Sequence, residues 1–175
     1  MNRKLCISII VTLLLTSCVA GPNYKGEALP NFDGREFFNR TPLSQKPLDV
    51  LSFGLGSLTK SEQWPTWIDN QPVQAPLPSV TDGIKVTYIN HATTLIQVQG
   101  LNILTDPIYS ERASPFQWAG PKRVRAPGIA MKDLPNIDVI LISHNHYDHL
   151  DVETLRQLTA RQAKPPLVLS GLGVG

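Results

Sequence analysis

Residues 143–151 read Ser-His-Asn-His-Tyr-Asp-His-Leu-Asp. Three of the four histidines in the chain, His144, His146 and His149, fall in this run with Asp148 among them. Neutral imidazole and carboxylate are donors that a borderline-soft divalent metal such as zinc accepts. A single histidine at such a place more often caps a helix or faces solvent. Three with an aspartate at this spacing point to metal binding, and so to hydrolysis by a metal-activated water. Residues i and i+2 of an extended segment point the same way, so His144 and His146 can grip one ion. Asp148 and His149 lie further round the turn and can grip a second.

These residues need a rigid frame, and the flanking sequence supplies one. Ile137-Asp138-Val139-Ile140-Leu141-Ile142 is short, apolar and β-branched, which predicts a buried strand covered on both faces. Beyond the cluster, Asp151 is a good N-cap and Glu153 suits a first turn. Val152, Leu155 and Leu158 then recur at helical spacing. The expected unit is a strand, a ligand loop and a closing helix. Leu167-Val168-Leu169-Ser170 reads as another buried strand.

Upstream, Ile84, Val86 and Tyr88 alternate with Lys85, Thr87 and Ile89, predicting a half-buried strand. Thr94 to Val98 predicts a second, Gln99-Gly100-Leu101-Asn102 a turn, and Ile103-Leu104 the start of a third, together a meander. His91 falls between two of these strands. It either faces the metal cavity or is a structural histidine with its bonds satisfied. Tyr109 to Gly128 lacks regular apolar spacing and predicts a long loop, a common place for function. It carries Arg112, Lys122, Arg123 and Arg125 beside Phe116 and Trp118. Cations beside aromatics suit a phosphodiester head group and an acyl chain, with Lys122 and Arg123 as candidate contacts. The commoner fate of such charges is a solvated basic surface.

His144-x-His146-x-Asp148-His149 after an apolar strand resembles the signature of the metallo-β-lactamase-fold hydrolases. The runs Thr87 to Ile96, Leu104 to Ile108, Ser110 to Pro115 and Gly120 to Arg123 resemble one branch of it. That branch contains N-acyl-phosphatidylethanolamine-hydrolysing phospholipase D and its bacterial relatives. The likeness is close from about Val86 to Leu155 and weaker at Gly34 to Phe37 and Trp64 to Trp67. The resemblance implies an α/β fold, an αββα sandwich of two similar halves, of which only the first is expected here. It implies two zinc ions, one on His144 and His146 and the other on Asp148 and His149. Asp148 would also orient the nucleophile, and Asp106, with His91, would support the ligand loop by hydrogen bonds. The other ligands are expected from a second half. The sequence therefore reads as a fragment, a truncated gene product, or one half of a site completed by another chain. The implied activity is hydrolysis of a membrane phosphodiester by metal-activated hydroxide. A lactone or another ester fits the same centre, because one scaffold hosts many chemistries. The alternative of a different class is a truncated, non-catalytic lipoprotein that binds metal weakly.

The N-terminus carries an address. Asn2-Arg3-Lys4 is a positive region, and Leu5 to Leu15 is an apolar run too short to span a bilayer. Leu15-Thr16-Ser17-Cys18 resembles a bacterial lipobox. The expectation is a lipoprotein signal over residues 1–18, cleaved before Cys18, which is then lipidated. An ordinary signal peptide with a chance cysteine, or a short buried helix, is the competing reading. Val19 after the cysteine, rather than an aspartate, leans towards the outer membrane facing the periplasm. Residues 19–82 are proline-rich and read as a tether and irregular arm docked through Trp64 and Trp67; residues 83–175 hold the truncated domain. Sixteen cations against 14 acids leave a net charge of +2, which implies no nucleic-acid partner. The expected partners are the membrane, through the anchor, and a small-molecule or phospholipid substrate.

Overall fold

The computed structural model describes residues 25–34, 36–39, 41, 65–71 and 74–174. Residues 1–18, with Cys18 and the expected signal, lie outside the described residues, as does Trp64. The chain divides into two compact units, residues 1–61 and 62–175. In the first, Leu29 and Phe32 exchange backbone hydrogen bonds at 2.8 and 3.0 Å. Phe32 then stacks on Phe37 at a centroid distance of 4.4 Å.

The second unit is built on one mixed sheet of five strands in the order β1-β2-β3-β4-β5. β1 (Ile84–Asn90), β2 (Thr93–Val98) and β3 (Leu101–Thr105) form an antiparallel meander. β4 (Val139–Ile142) joins β3 in parallel, and β5 (Leu167–Ser170) joins β4 in parallel. Parallel neighbours need crossover connections. Between β4 and β5 the crossover is the ligand loop followed by helix α1 (Val152–Ala160). Between β3 and β4 it is the long loop, ending in a 3-10 turn at Met131–Asp133.

The Asp151 carboxylate caps α1 by accepting the Thr154 N–H at 3.1 Å, as the sequence predicts. The inward stripe is Thr154, Leu155 and Leu158, whereas Val152 is exposed. The predicted four-residue turn is tighter in the structure. Gln99 and Gly100 both have positive φ, 50° and 80°, so they form a two-residue turn of the kind that matches strand twist, and β3 begins at Leu101.

One face of the sheet carries the core. Leu95, Leu104 and Ile140 pair across β2, β3 and β4 and are fully buried. Ile89, Ile129, Leu134, Ile137, Ile142 and Leu158 complete this cluster. The other face is apolar too but open. Val86 pairs with Ile96, Ile96 with Ile103, Ile103 with Val139 and Val139 with Leu167. Three expectations change here. β4 is covered on one face only, with Leu141 exposed on the other. In β1 the apolar Ile84, Val86 and Tyr88 point outward, 62–70% exposed, while Lys85, Thr87 and Ile89 face the core side. β5 forms where expected, at the edge of the sheet, but all four of its residues are exposed. The sheet with a helix layer on one face is the α/β class predicted; among the described residues it makes one sheet of a sandwich.

Among the described residues, the arm reaches the sheet through its backbone groups. Gln97 donates to Leu77 O at 2.8 Å, Asn102 donates to Pro78 O at 2.8 Å, and Gly100 N–H donates to Val80 O at 2.8 Å. Ile68 N–H donates to Val124 O at 2.7 Å, and Asn70 donates to Ala126 O at 2.7 Å. Trp67 stays 52% exposed, its indole N–H bonded to Asp69 two residues on.

Candidate metal centre

The ligand loop leaves the C-terminal end of β4, where parallel sheets place their ligand crevices. Its neighbour β3 ends beside it, and the residue after that end is Asp106. Asp106 sits at φ +36°, a conformation that L residues adopt seldom. Its backbone N–H donates to Leu141 O at 2.8 Å, so the turn is locked to β4. The buried carboxylate then faces the loop. It accepts from Ser143 N–H at 2.7 Å, from the Ser143 hydroxyl at 2.7 Å and from His149 Nδ1 at 2.9 Å. Burial alone would raise the Asp106 carboxyl. The hydrogen bonds from His149 and Ser143 outweigh it and hold the carboxyl below its ordinary range.

Because the Asp106 carboxylate accepts a hydrogen bond from Nδ1–H of His149, the His149 Nε2 lone pair is left for a metal. This is how a carboxylate partner orients a ligating imidazole. His149 Nε2 lies 3.5 Å from Asp148 Oδ2. On the other side, His91 Nε2 lies 3.1 Å from the same oxygen. His91 occupies the β1–β2 turn with φ +37°, a strained backbone that aims its ring across the sheet end. Ligand atoms of His91, Asp148 and His149 all lie within 4.8 Å of one another. Burial would raise the Asp148 carboxyl, but its own backbone N–H, His149 and His91 together hold it below the usual value.

His144 and His146 are stacked beside this trio. The His144 ring lies 4.1 Å from that of His149 and 4.6 Å, edge-on, from that of His146. The turn that gathers them is closed by His149 N–H and Leu150 N–H, which both donate to His146 O. The motif and His91 together present four imidazoles and one carboxylate at one end of the sheet. That donor set suits a borderline divalent metal such as zinc. From the motif alone, Asp148 pairs with His149; the structure adds His91 to them.

Two contributors had no mark in the sequence pattern. Ser143 bridges Asp106, His144 Nδ1 at 2.9 Å and His149 Nδ1 at 3.3 Å. Asp151, read only as a helix cap, also accepts from Tyr109 N–H at 3.2 Å and Ser110 N–H at 2.9 Å. It ties the long loop to the helix that closes the ligand loop. Burial pushes its carboxyl up, but bonds from Thr154 and Ser110 more than offset that. Of the candidate substrate contacts, Arg123 directs Nε and Nη2 to the carbonyls of Ser110 and Ile108 at 2.6–3.2 Å. Lys122 is exposed and pairs with Glu111 at 3.6 Å.

Residues 101–173 match the family described as Beta-lactamase superfamily domain. An uncharacterized protein of Mycobacterium tuberculosis is 32% identical over 156 residues, which is 87% of this chain and 40% of that protein. N-acyl-phosphatidylethanolamine-hydrolyzing phospholipase D 1 of Caenorhabditis elegans is 43% identical over 77 residues, 44% of this chain and 22% of the relative. The mitochondrial enzyme of the same name from Saccharomyces cerevisiae is 34% identical over 86 residues, 49% of this chain and 18% of its own. The chain spans 40% or less of the length of these relatives. The matched segment holds β3, Asp106, the whole ligand loop and α1, so this part of the chain belongs to the beta-lactamase superfamily, and it is similar to the N-acyl-phosphatidylethanolamine-hydrolysing phospholipases D.

Proposed function

We propose that this chain carries the metal-binding segment of a zinc-dependent hydrolase acting on a phosphodiester of a membrane phospholipid. The observation that carries the reading is the Asp106–His149 pair at 2.9 Å, which leaves Nε2 of His149 free beside Asp148 and His91. When bound, zinc supplies Lewis acidity and activation of water near neutral pH. The residues do the rest. Asp148 is a carboxylate at neutral pH, able to hold metal and to orient the attacking water. His91 holds Asp148 by its Nε2, and Asp106 fixes the tautomer of His149. His144 and His146 offer two further imidazoles. Lys122 is an exposed cation that can meet a phosphate oxygen, with Arg123 shaping the loop.

The phospholipid class comes from the similarity to the two phospholipases. A lactone or other ester remains within reach of the same donors. The test is release of phosphatidic acid from N-acyl-phosphatidylethanolamine after zinc is restored. Release that disappears in Asp148→Asn supports the reading; no release at any zinc level sinks it. A second reading is favoured by the donor count. Among the described residues only one trio falls within 4.8 Å, which suits one weakly held ion and no catalysis. Metal content separates the two: close to two zinc ions per chain for the hydrolase, one or none for the weak binder.

We also propose that Cys18 is lipidated and anchors the protein to the outer membrane, facing the periplasm. Several acyl chains hold stably where one does not. The intact mass of protein from the membrane fraction tests this, since cleavage before Cys18 with acylation gives a defined mass that an unprocessed chain lacks.

A further inference from the structure

The long loop holds a feature that the metal centre does not use. Phe116 and Trp118 stand 55% and 80% exposed, their rings 5.4 Å apart. Among the described residues nothing bonds the Trp118 indole N–H. Such residues are usually mobile when exposed, but here the backbone beneath them is tied down. Arg112 donates from Nε to Gln117 O at 3.1 Å and from Nη1 to Gly120 O at 2.5 Å. Gln117 returns a bond to Arg112 O at 3.3 Å, and Ala113 N–H donates to Pro121 O at 3.0 Å. The loop is therefore closed on itself with its aromatic pair held out. Its base is pinned to the fold by Arg123 and Asp151.

The loop that carries this tip is basic. Between Tyr109 and Gly128 the cations are Arg112, Lys122, Arg123 and Arg125, and the one acid is Glu111. Indole and phenyl rings beside basic side chains are what the interface of an anionic bilayer accepts. The rings sit at head-group depth, and each nearby cation gains from the negative surface. A preformed tip loses little conformational freedom on insertion. A flat protein partner would call for a broader apolar patch than two rings on a narrow loop.

We propose that the loop from Arg112 to Pro121 is a second membrane contact, inserting Phe116 and Trp118 into the interface of an anionic phospholipid bilayer. The contact rests on the loop itself and not on the hydrolytic reading, and its test involves no reaction. Because the loop base shares Asp151 with the helix that closes the ligand loop, insertion would set the metal centre at a fixed height above the bilayer.

Trp118 serves as the reporter in the full chain carrying Trp64→Phe and Trp67→Phe. Vesicles of phosphatidylglycerol or of phosphatidylcholine, with bromine-labelled acyl chains, are added. The expected result is a blue-shifted Trp118 emission and bromine quenching on phosphatidylglycerol, much weaker on phosphatidylcholine. Replacing both exposed cations, as Lys122→Gln with Arg125→Gln, should lower partitioning about 25-fold, at about fivefold per basic side chain. Trp118 emission unchanged on both vesicles, or equal quenching on both, overturns the proposal. A second reporter, Tyr88→Trp with the three native tryptophans changed to Phe, guards against adhesion through the open sheet face. Quenching there without quenching at Trp118 overturns it as well.

Discussion

Asp106 does three jobs at once: it ends β3, locks to β4 and fixes the His149 tautomer. Asp106→Asn keeps the shape but offers an amide where three donors converge. Metal affinity is expected to fall about 10- to 100-fold, read by titration with zinc or with cobalt absorption. Asp151 is the second such residue. Asp151→Ala removes a cap and two loop bonds, so a loss of about 1–3 kcal/mol is expected in urea unfolding. Its pKa is depressed in the fold, so its stabilisation is present above the unfolded value of about 3.9 and is lost as pH falls through the lower folded value. Stability measured from pH 6 downwards should therefore decline in acid, and less steeply in Asp151→Asn. At this scale the metal motif was legible in the sequence because residue types and spacing define it. Ser143 was not, since a lone serine has no pattern; its role exists only where two parallel strand ends meet.

Elements were legible by period and capping, and their orientation was not. The strand after residue 137, the Asp151 cap and the meander all follow from local pattern. The outward face of β1 does not, because an alternating strand is symmetrical until its neighbours are known. Both faces of β1 carry apolar residues, and the core claimed Ile89 rather than Val86. The aromatic loop depends on local chemistry of another kind. Gly120 sits at φ +97°, and a Cβ there would lie 2.7 Å from Cβ of Ser114. Gly120→Ala should open the loop, seen as new protease cleavage within residues 112–121 with metal binding retained. Adding Ser114→Gly should restore only part of the protection, because it relieves the contact but not the backbone strain.

For the whole molecule, the uneven use of the two sheet faces matters most. One face holds Leu95, Leu104 and Ile140 at full burial; the other shows Ile84, Val86, Tyr88, Leu167 and Leu169 to solvent. A contiguous apolar surface of this kind binds hydrophobic dye and promotes association. Val86→Lys should lower dye fluorescence and self-association while leaving the melting temperature unchanged. Leu104→Ala, by contrast, should cost about 2–5 kcal/mol. The metal site also has a history in time. Asp106 meets Ser143 across 37 positions, Tyr109 meets Asp151 across 42 and Thr154 across 45. Such contacts must wait for long stretches of chain to close, whereas the meander and α1 nucleate within short ones. During refolding His91 and Asp106 thus reach the ligand loop late, across 57 and 43 positions, after the strands that carry them have paired. Zinc present from the start would meet the short His144–His149 run before Asp106 and His91 had come to hold it.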